Sequence, residues 1–201
     1  AGARWIAPCD PSAQQLAENL APPSAAHWLG QDKLGRDILA RVVYGTRVSL
    51  AVGIVTVIVS LAIGTTIGSV AGFAGGWIDE TIMRVVDVLL AFPGLLLAIA
   101  LTGVLGPSLR NVVIALCLIG WTGYARLARG EVARLREREF VEAARALGVP
   151  ERRILVRHVV PLLATPLLVQ ATFGMAAAIV AEASLSFLGL GAQPPTASWG
   201  A

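Results

Sequence analysis

Residues 48–78 read VSLAVGIVTVIVSLAIGTTIGSVAGFAGGWI and contain no charged side chain. Three further uncharged runs follow it, at residues 88–109, 111–125 and 159–181. A helix that crosses a bilayer needs about 20 mostly apolar residues. The first, second and fourth runs are long enough. The third is shorter, but Arg110 and Arg126 flank it and can extend their charged ends to the two interfaces.

The composition agrees with a lipid environment. Of the 201 residues, 56% are hydrophobic and 14% are charged, whereas a soluble domain carries about 25% charged residues. Four such runs would leave a soluble protein too little polar surface to cover them. We therefore predict an all-α membrane protein, a polytopic transmembrane helix bundle over residues 49–188. The predicted spans lie near residues 49–73, 82–105, 110–128 and 160–184.

The basic residues predict the orientation. Nine of the sixteen Lys and Arg residues lie between Arg126 and Arg157. Such a cluster can bind nucleic acid, but between two spans the positive-inside rule explains it better, and no nucleic acid partner is expected. Residues 129–158 are then cytoplasmic. Residues 1–48, an external loop and lead-in helix, and the external loop 189–201 lie outside. We expect a fragment of a six-span protein.

The chain lacks the motifs of several other classes. Lys33 is the only lysine and no G-x-x-x-x-G-K-[ST] occurs, so any ATP hydrolysis comes from elsewhere. H-E-x-x-H and G-x-S-x-G are also absent, which leaves a membrane enzyme unsupported. Cys9 and Cys117 are predicted to be too far apart to pair, and the two histidines, His27 and His158, show no metal-ligand spacing. No metal is expected.

Two carboxylates are candidates for a translocation path, because ionisable residues in spans are costly. Asp87 follows Arg84 at i, i+3 on the second span and can instead form a salt bridge at its end. Glu182 shares a ridge with Gly174 and Ala178, so it faces protein or water, and local pairing is the alternative role. A secondary transporter needs charges near the midplane or repeated broken helices, whereas both carboxylates lie near span ends and the sequence shows no internal repeat.

Small residues recur every four positions in the first span. They are Ser60, Gly64, Gly68 and Gly72. Small residues allow close approach of helix backbones in lipid. The ridge packs either against another helix of this chain or against a second, similar subunit.

Residues 131–161, EVARLREREFVEAARALGVPERRILVRHVVP, are predicted to form a helix, a sharp turn and a second helix. Gly148 ends the first helix and Pro150 starts the second. Phe140, Ala144 and Leu147 form an apolar stripe at i, i+4 and i+7. The amphipathic helix can lie on anionic headgroups or fit a groove on a soluble partner, and periodicity does not choose between them.

Glu142-Ala143-Ala144, Gly148 and Pro161 resemble the EAA loop of ABC importer permeases. Residues 27–50, 75–101 and 182–200 resemble the dipeptide, oligopeptide and nickel branch of the same family in the same order. His158 fits that branch, and Val160 is a mild departure from the family pattern.

The resemblance implies a permease of the type I ABC importer kind in the bacterial inner membrane. It implies that the loop docks into cytoplasmic ABC ATPase subunits, which bind ATP and Mg, while this chain binds no cofactor. The ATPase-coupling residues would be Phe140, Glu142, Ala143, Ala144, Leu147, Gly148 and Pro161. A second homologous permease subunit, an extracytoplasmic solute-binding protein and membrane lipid are the other partners. The implied substrates are di- or oligopeptides, with nickel or another small solute as the alternative.

Overall fold

A computed structural model describes residues 6–201. Those residues are almost entirely helical and include no named β-strand, which confirms the predicted all-α fold. The helices, in chain order, are α1 (Ile38–Ala74), α2 (Gly76–Leu90), α3 (Gly94–Leu105), α4 (Leu109–Arg136), α5 (Glu139–Ala146) and α6 (Glu151–Phe187).

Helices α1, α4 and α6 are long and apolar enough to cross a membrane. With 37 residues, α1 is about 55 Å long at a rise of about 1.5 Å per residue, whereas a bilayer's hydrocarbon core is about 30 Å thick. The charged first turns of α1, which contain Arg41 and Arg47, can therefore lie outside the hydrocarbon.

The second predicted span is broken. Helices α2 and α3 meet at 83°, and they make a fourth apolar span only if the bent pair is counted as one. Pro93 lies at the break and has no N–H to donate. The last bond before the break runs from Ala91 N to Asp87 O (2.9 Å), and the first bond after it runs from Leu97 N to Pro93 O (3.1 Å). The second predicted span is thus fully interrupted at Pro93.

Helix α6 changes its winding near its start. An α-helical turn over Glu151–Ile154 widens to a π-helical turn over Leu155–Val159 and then tightens to a 3-10 turn over Val160–Leu163. The ring of Pro161 would clash with the carbonyl of residue i−4 in a regular α-helix. The wide turn immediately before Pro161 accommodates the ring. The predicted loop and the fourth predicted span thus share one helical stretch.

The chain divides into two compact units. The first contains Ala1–Ile54, Ile99–Val113 and Ala178–Ala201, and the second contains Val55–Ala98 and Ile114–Ala177. In the second unit, buried side chains from α4, α5 and α6 form a hydrophobic core. They are Tyr124, Ala128, Val132, Leu135, Val141, Ile154, Val159, Leu163 and Leu167.

The helix of the third predicted span extends into the predicted loop. The span was predicted near residues 110–128, and α4 continues without a break to Arg136. Val132 and Leu135 on this extension are buried in the core of the second unit. Apolar packing therefore keeps residues 129–136 helical although many of them are charged. The independent helix of the predicted loop is only α5.

Candidate functional site

Helix α5 is fixed by one buried side chain. Val141 is fully buried among side chains of α4 and α6, and Ala144 packs against the same core. Phe140 is 39% exposed and Leu147 is 84% exposed. The predicted stripe of Phe140, Ala144 and Leu147 is therefore not the packed face of the helix. The packed side is centred on Val141, and Phe140 and Leu147 remain open to a partner.

The turn after α5 has the conformation predicted for it. Gly148 has φ +75°, a value that is costly for residues with a Cβ. The N–H of Gly148 donates to Arg145 O (2.9 Å), and the N–H of Val149 donates to Ala144 O (3.1 Å), which closes the end of the helix. Pro150 is the N-cap rather than the first residue of the next helix, which begins at Glu151. The turn at Gly148 thus fixes the angle between α5 and α6.

Arg145 links three elements of the second unit. Its Nε donates to Glu151 Oε1 (2.8 Å) and its Nη2 donates to Oε2 (3.3 Å), across the turn. Its guanidinium carbon also lies 5.8 Å from the centre of the Phe73 ring, in the last turn of α1. Close by, Arg136 Nη1 donates to Phe73 O (3.0 Å) and so caps the end of α1.

An open depression of about 630 Å³ lies between these groups. It is lined by Phe73, Ala74, Arg136, Glu137, Glu142, Arg145 and Glu151. Glu142 and Ala143 are exposed. Of the predicted coupling residues, the structure brings all but Pro161 onto or beside α5. Pro161 acts from within α6, where it imposes the wide turn.

The small residues of α1 face α4. A Cβ added to any of the three glycines would overlap a backbone carbonyl oxygen of α4. The pairs are Ser60 with Gly120, Gly64 with Trp121, Gly68 with Ala125, and Gly72 with Arg129. The ridge is therefore occupied by a helix of the same chain, which supports the first of the two alternatives for it.

Two ion pairs join α2 to α4. Arg129 donates from Nε to Asp79 Oδ1 (2.9 Å) and from Nη2 to Oδ2 (2.5 Å). Asp87, a candidate for the path, pairs with Arg126 at 2.5 Å and is 64% exposed. The salt bridge expected between Asp87 and Arg84 is thus replaced, because the arginine of α4 lies closer to the carboxylate. These pairs fix α2 on the charged end of α4.

Glu182 is fully buried in the first unit. It accepts hydrogen bonds from Ser49 Oγ (2.9 Å) and Ser186 Oγ (2.7 Å). Each serine oxygen accepts in turn from a backbone N–H of the last segment, Trp199 to Ser49 (3.3 Å) and Ala192 to Ser186 (3.0 Å). Burial and pairing favour the local role for Glu182 over a place on an open path.

The last segment is also held to the start of α1. Trp199 Nε1 donates to Val42 O (3.1 Å), and Arg41 Nη2 donates to Ala201 O (2.7 Å). Gly45 lies against Ser198, where an added Cβ would be 3.0 Å from a backbone carbon. Residues 189–201, predicted to be a loop, are thus an ordered cover over the first turns of α1.

One cluster was missed by the sequence analysis. Cys9, His27 and Asp37 are spread over 29 positions, yet their potential ligand atoms lie within 4.8 Å of one another. The expectation of no metal rested on spacing along the chain, and that spacing does not reveal a cluster formed by folding. Asp37 lies immediately before α1, and its Oδ2 accepts from Ala40 N (3.3 Å).

Residues 64–201 match the family described as "Binding-protein-dependent transport system inner membrane component". The chain is 49% identical over 184 residues to the dipeptide transport system permease protein of Alkalihalophilus pseudofirmus, covering 92% of this chain and 60% of the relative. It is 48% identical over 200 residues to the glutathione transport system permease protein of Escherichia coli O157:H7, covering 99% of this chain and 66% of the relative. The chain thus spans just under two thirds of the length of these curated relatives. With its apolar helices, the chain is a member of the binding-protein-dependent transport system inner membrane component family.

Proposed function

We propose that the protein is the membrane-spanning subunit of an ATP-driven importer for di- or oligopeptides or for a small peptide such as glutathione. Family membership supports the transport role. The substrate class is supported by the two relatives above, whose names specify dipeptide and glutathione transport. Neither relative is named for a metal ion, so the nickel alternative has less support.

The observation that carries the proposal is the way α5 packs against the rest of the second unit. Val141 ties this helix to α4 and α6, so a force applied to α5 is transmitted to two long apolar helices. The same helix leaves Phe140 and Leu147 uncovered. A helix with a buried inner face and an open apolar outer face is suited to a groove on a soluble partner. We infer that the partner is a separate ATPase subunit, which binds ATP and Mg.

The charges around α5 fit this role better than adsorption to headgroups. Glu142 is exposed beside the open apolar residues, and a carboxylate there disfavours contact with anionic lipid. Arg145 is held by Glu151 and by the ring of Phe73, so it is not free to extend toward phosphates. Glu142 is therefore proposed to pair with a basic residue of the ATPase.

Transport assays with one charge reversal test the coupling role. In the complete transporter reconstituted in proteoliposomes, Glu142→Lys should lower ATP-dependent peptide uptake tenfold or more, because a disrupted interfacial charge pair costs about 2–5 kcal/mol. Glu18→Lys is the matched control, since Glu18 is also exposed but lies in the first unit. Insertion and thermal stability should be equal in both variants. Equal uptake by the two variants would refute the assignment of Glu142.

The orientation is a separate proposal, supported by the arginines around α5 and the positive-inside rule. In a chain without Cys9 and Cys117, a cysteine at Leu147, which is 84% exposed, should react with a membrane-impermeant maleimide only after the cells are permeabilised. A cysteine at Trp28, which is 69% exposed, should react in intact cells. The reverse pattern would place α5 outside and remove the basis for docking to an ATPase.

Alternating access between two permease subunits, fed by an extracytoplasmic binding protein, completes the proposed mechanism. The ridge of small residues in α1 is already occupied by α4, so we do not assign it to the subunit interface. Asp87, which is largely exposed, remains the more accessible of the two carboxylates proposed for the path.

A further inference from the structure

We propose that Cys9, His27 and Asp37 form a binding site for a divalent transition-metal ion of the zinc type, separate from the transport role. The three side chains offer a cysteine sulfur, an imidazole nitrogen and a carboxylate oxygen. This mixture of ligands is the one that Zn²⁺ selects, and three protein ligands leave a fourth position for water.

The distances fit a metal better than a hydrogen bond. His27 Nδ1 lies 3.7 Å from Asp37 Oδ1, which is beyond hydrogen-bonding range. In a tetrahedral zinc site with metal–ligand bonds of about 2.0–2.1 Å, two such ligands lie about 3.4 Å apart. All three ligand atoms lie within 4.8 Å of one another, so small side-chain rotations would complete the geometry.

The second observation is that two of these atoms are buried without a partner. Asp37 is 6% exposed, and neither its Oδ1 nor His27 Nδ1 has a hydrogen-bond partner among residues 6–201. A buried polar atom left unpaired is costly. Both atoms point at the same space, where a cation would satisfy them together.

The surroundings hold the ligands in place. The other oxygen of Asp37 accepts from Ala40 N at the start of α1, which fixes the carboxylate and leaves Oδ1 free. The side-chain amide of Gln31 packs beside the ring, with its Nε2 3.4 Å from His27 Nε2, and the same amide nitrogen donates to Gly35 O (3.2 Å). Cys9 is partly exposed and provides a route of entry.

The site would connect distant parts of the first unit. Cys9 lies in the early segment, His27 precedes a turn, and Asp37 begins α1. A bound ion would therefore fasten residues 9–37 to the first turn of α1.

The experiment uses the purified full-length permease in nanodiscs, with Zn²⁺ and Co²⁺ as probes. The chain supplies matched controls, because its other cysteine, Cys117, and its other histidine, His158, lie outside the cluster. We expect one Zn²⁺ per chain in the unaltered protein. Cys9→Ser and His27→Gln should weaken binding by more than the roughly 10–100-fold that loss of an outer contact costs, whereas Cys117→Ser and His158→Gln should leave it unchanged.

Cobalt identifies the ligands directly. A thiolate-to-cobalt charge-transfer band should be present in the unaltered protein and in Cys117→Ser and absent in Cys9→Ser. Zinc should raise the unfolding temperature of the unaltered protein and of Cys117→Ser, but not that of Cys9→Ser. Cys9→Ser is nearly isosteric, so it tests the site even where His27→Gln fails to fold. Absence of zinc binding in the unaltered protein, or equal binding by Cys9→Ser and Cys117→Ser, would overturn the proposal and leave a metal-free pair of His27 and Asp37.

Discussion

The close contact between α1 and α4 allows a direct prediction of how a substitution changes the free energy of unfolding. A Cβ added to Gly68 would overlap the carbonyl oxygen of Ala125 and would lie 2.9 Å from two further backbone atoms of that residue. Backbone cannot rotate away as a side chain can. The two helices would have to separate by roughly 1 Å to restore ordinary contact, and overpacking of this kind costs about 1–3 kcal/mol.

A control substitution at a second glycine separates the overpacking cost from the intrinsic helix preference of alanine. Gly130 lies in α4 and would have nothing within 4 Å of an added Cβ. Gly130→Ala should therefore stabilise the protein by about 0.5–1 kcal/mol. Gly68→Ala receives the same benefit and in addition carries the overpacking cost. The difference between the two variants should thus be about 1–3 kcal/mol, whatever the exact helix preference.

The assay is thermal unfolding of the two variants in the same detergent. For a chain of this size, 1 kcal/mol corresponds to about 2–4 °C, so Gly68→Ala should unfold roughly 2–12 °C below Gly130→Ala. If the two variants unfolded at the same temperature, the close contact between α1 and α4 would not exist as described, and the ridge would be free for a second subunit.

Three further outcomes follow from the contacts described above. Asp79→Asn should cost about 1–2 kcal/mol, because it removes a two-point ion pair with Arg129, whereas Glu80→Gln, in an exposed pair, should change the unfolding free energy by less than about 1 kcal/mol. Val141→Ala should cost about 1.5–3 kcal/mol and speed hydrogen exchange in α5, and unchanged exchange would contradict its anchoring role. Burial opposes ionisation of Asp32, but hydrogen bonds from two backbone N–H groups and the neighbouring guanidinium outweigh it and lower its pKa. The ionised carboxylate of Asp32 therefore contributes its full stabilisation above the pKa of the unfolded chain, about 3.9, and this stabilisation is lost as the pH falls through the folded pKa. Stability measured against pH for Asp32→Asn should lack this acid-dependent loss.

The features predicted correctly from sequence are those that depend on neighbours along the chain. Uncharged runs of sufficient length indicated the apolar helices, and Gly148 indicated the end of α5 and the turn after it. Each signal lies within a few residues of the structure it determines. Local patterns therefore predicted the helical class and the shape of the turn after α5.

Contacts between residues distant in sequence could not be predicted in this way. The stripe through Phe140 and Leu147 did not indicate which residue of α5 is buried inside the protein, and that residue is Val141, because α4 and α6 approach α5 from that side. Asp87 was expected to pair within its own helix and pairs with Arg126 of α4 instead. Helical periodicity identifies possible faces, but the neighbouring helices decide which face is covered.

Pro161 shows how a motif residue can act at a distance from the surface it is associated with. It lies outside α5, but its ring requires a wide turn over Leu155–Val159, and Val159 in that turn is fully buried in the core that also holds Val141. A regular helix at this point would rotate every residue of α6 before Pro161 relative to those after it, and would displace Ile154 and Val159 from α5. The spacing between Gly148 and Pro161 therefore sets the rotation that connects the first turns of α6, which pack against α5, to the long apolar part of the same helix.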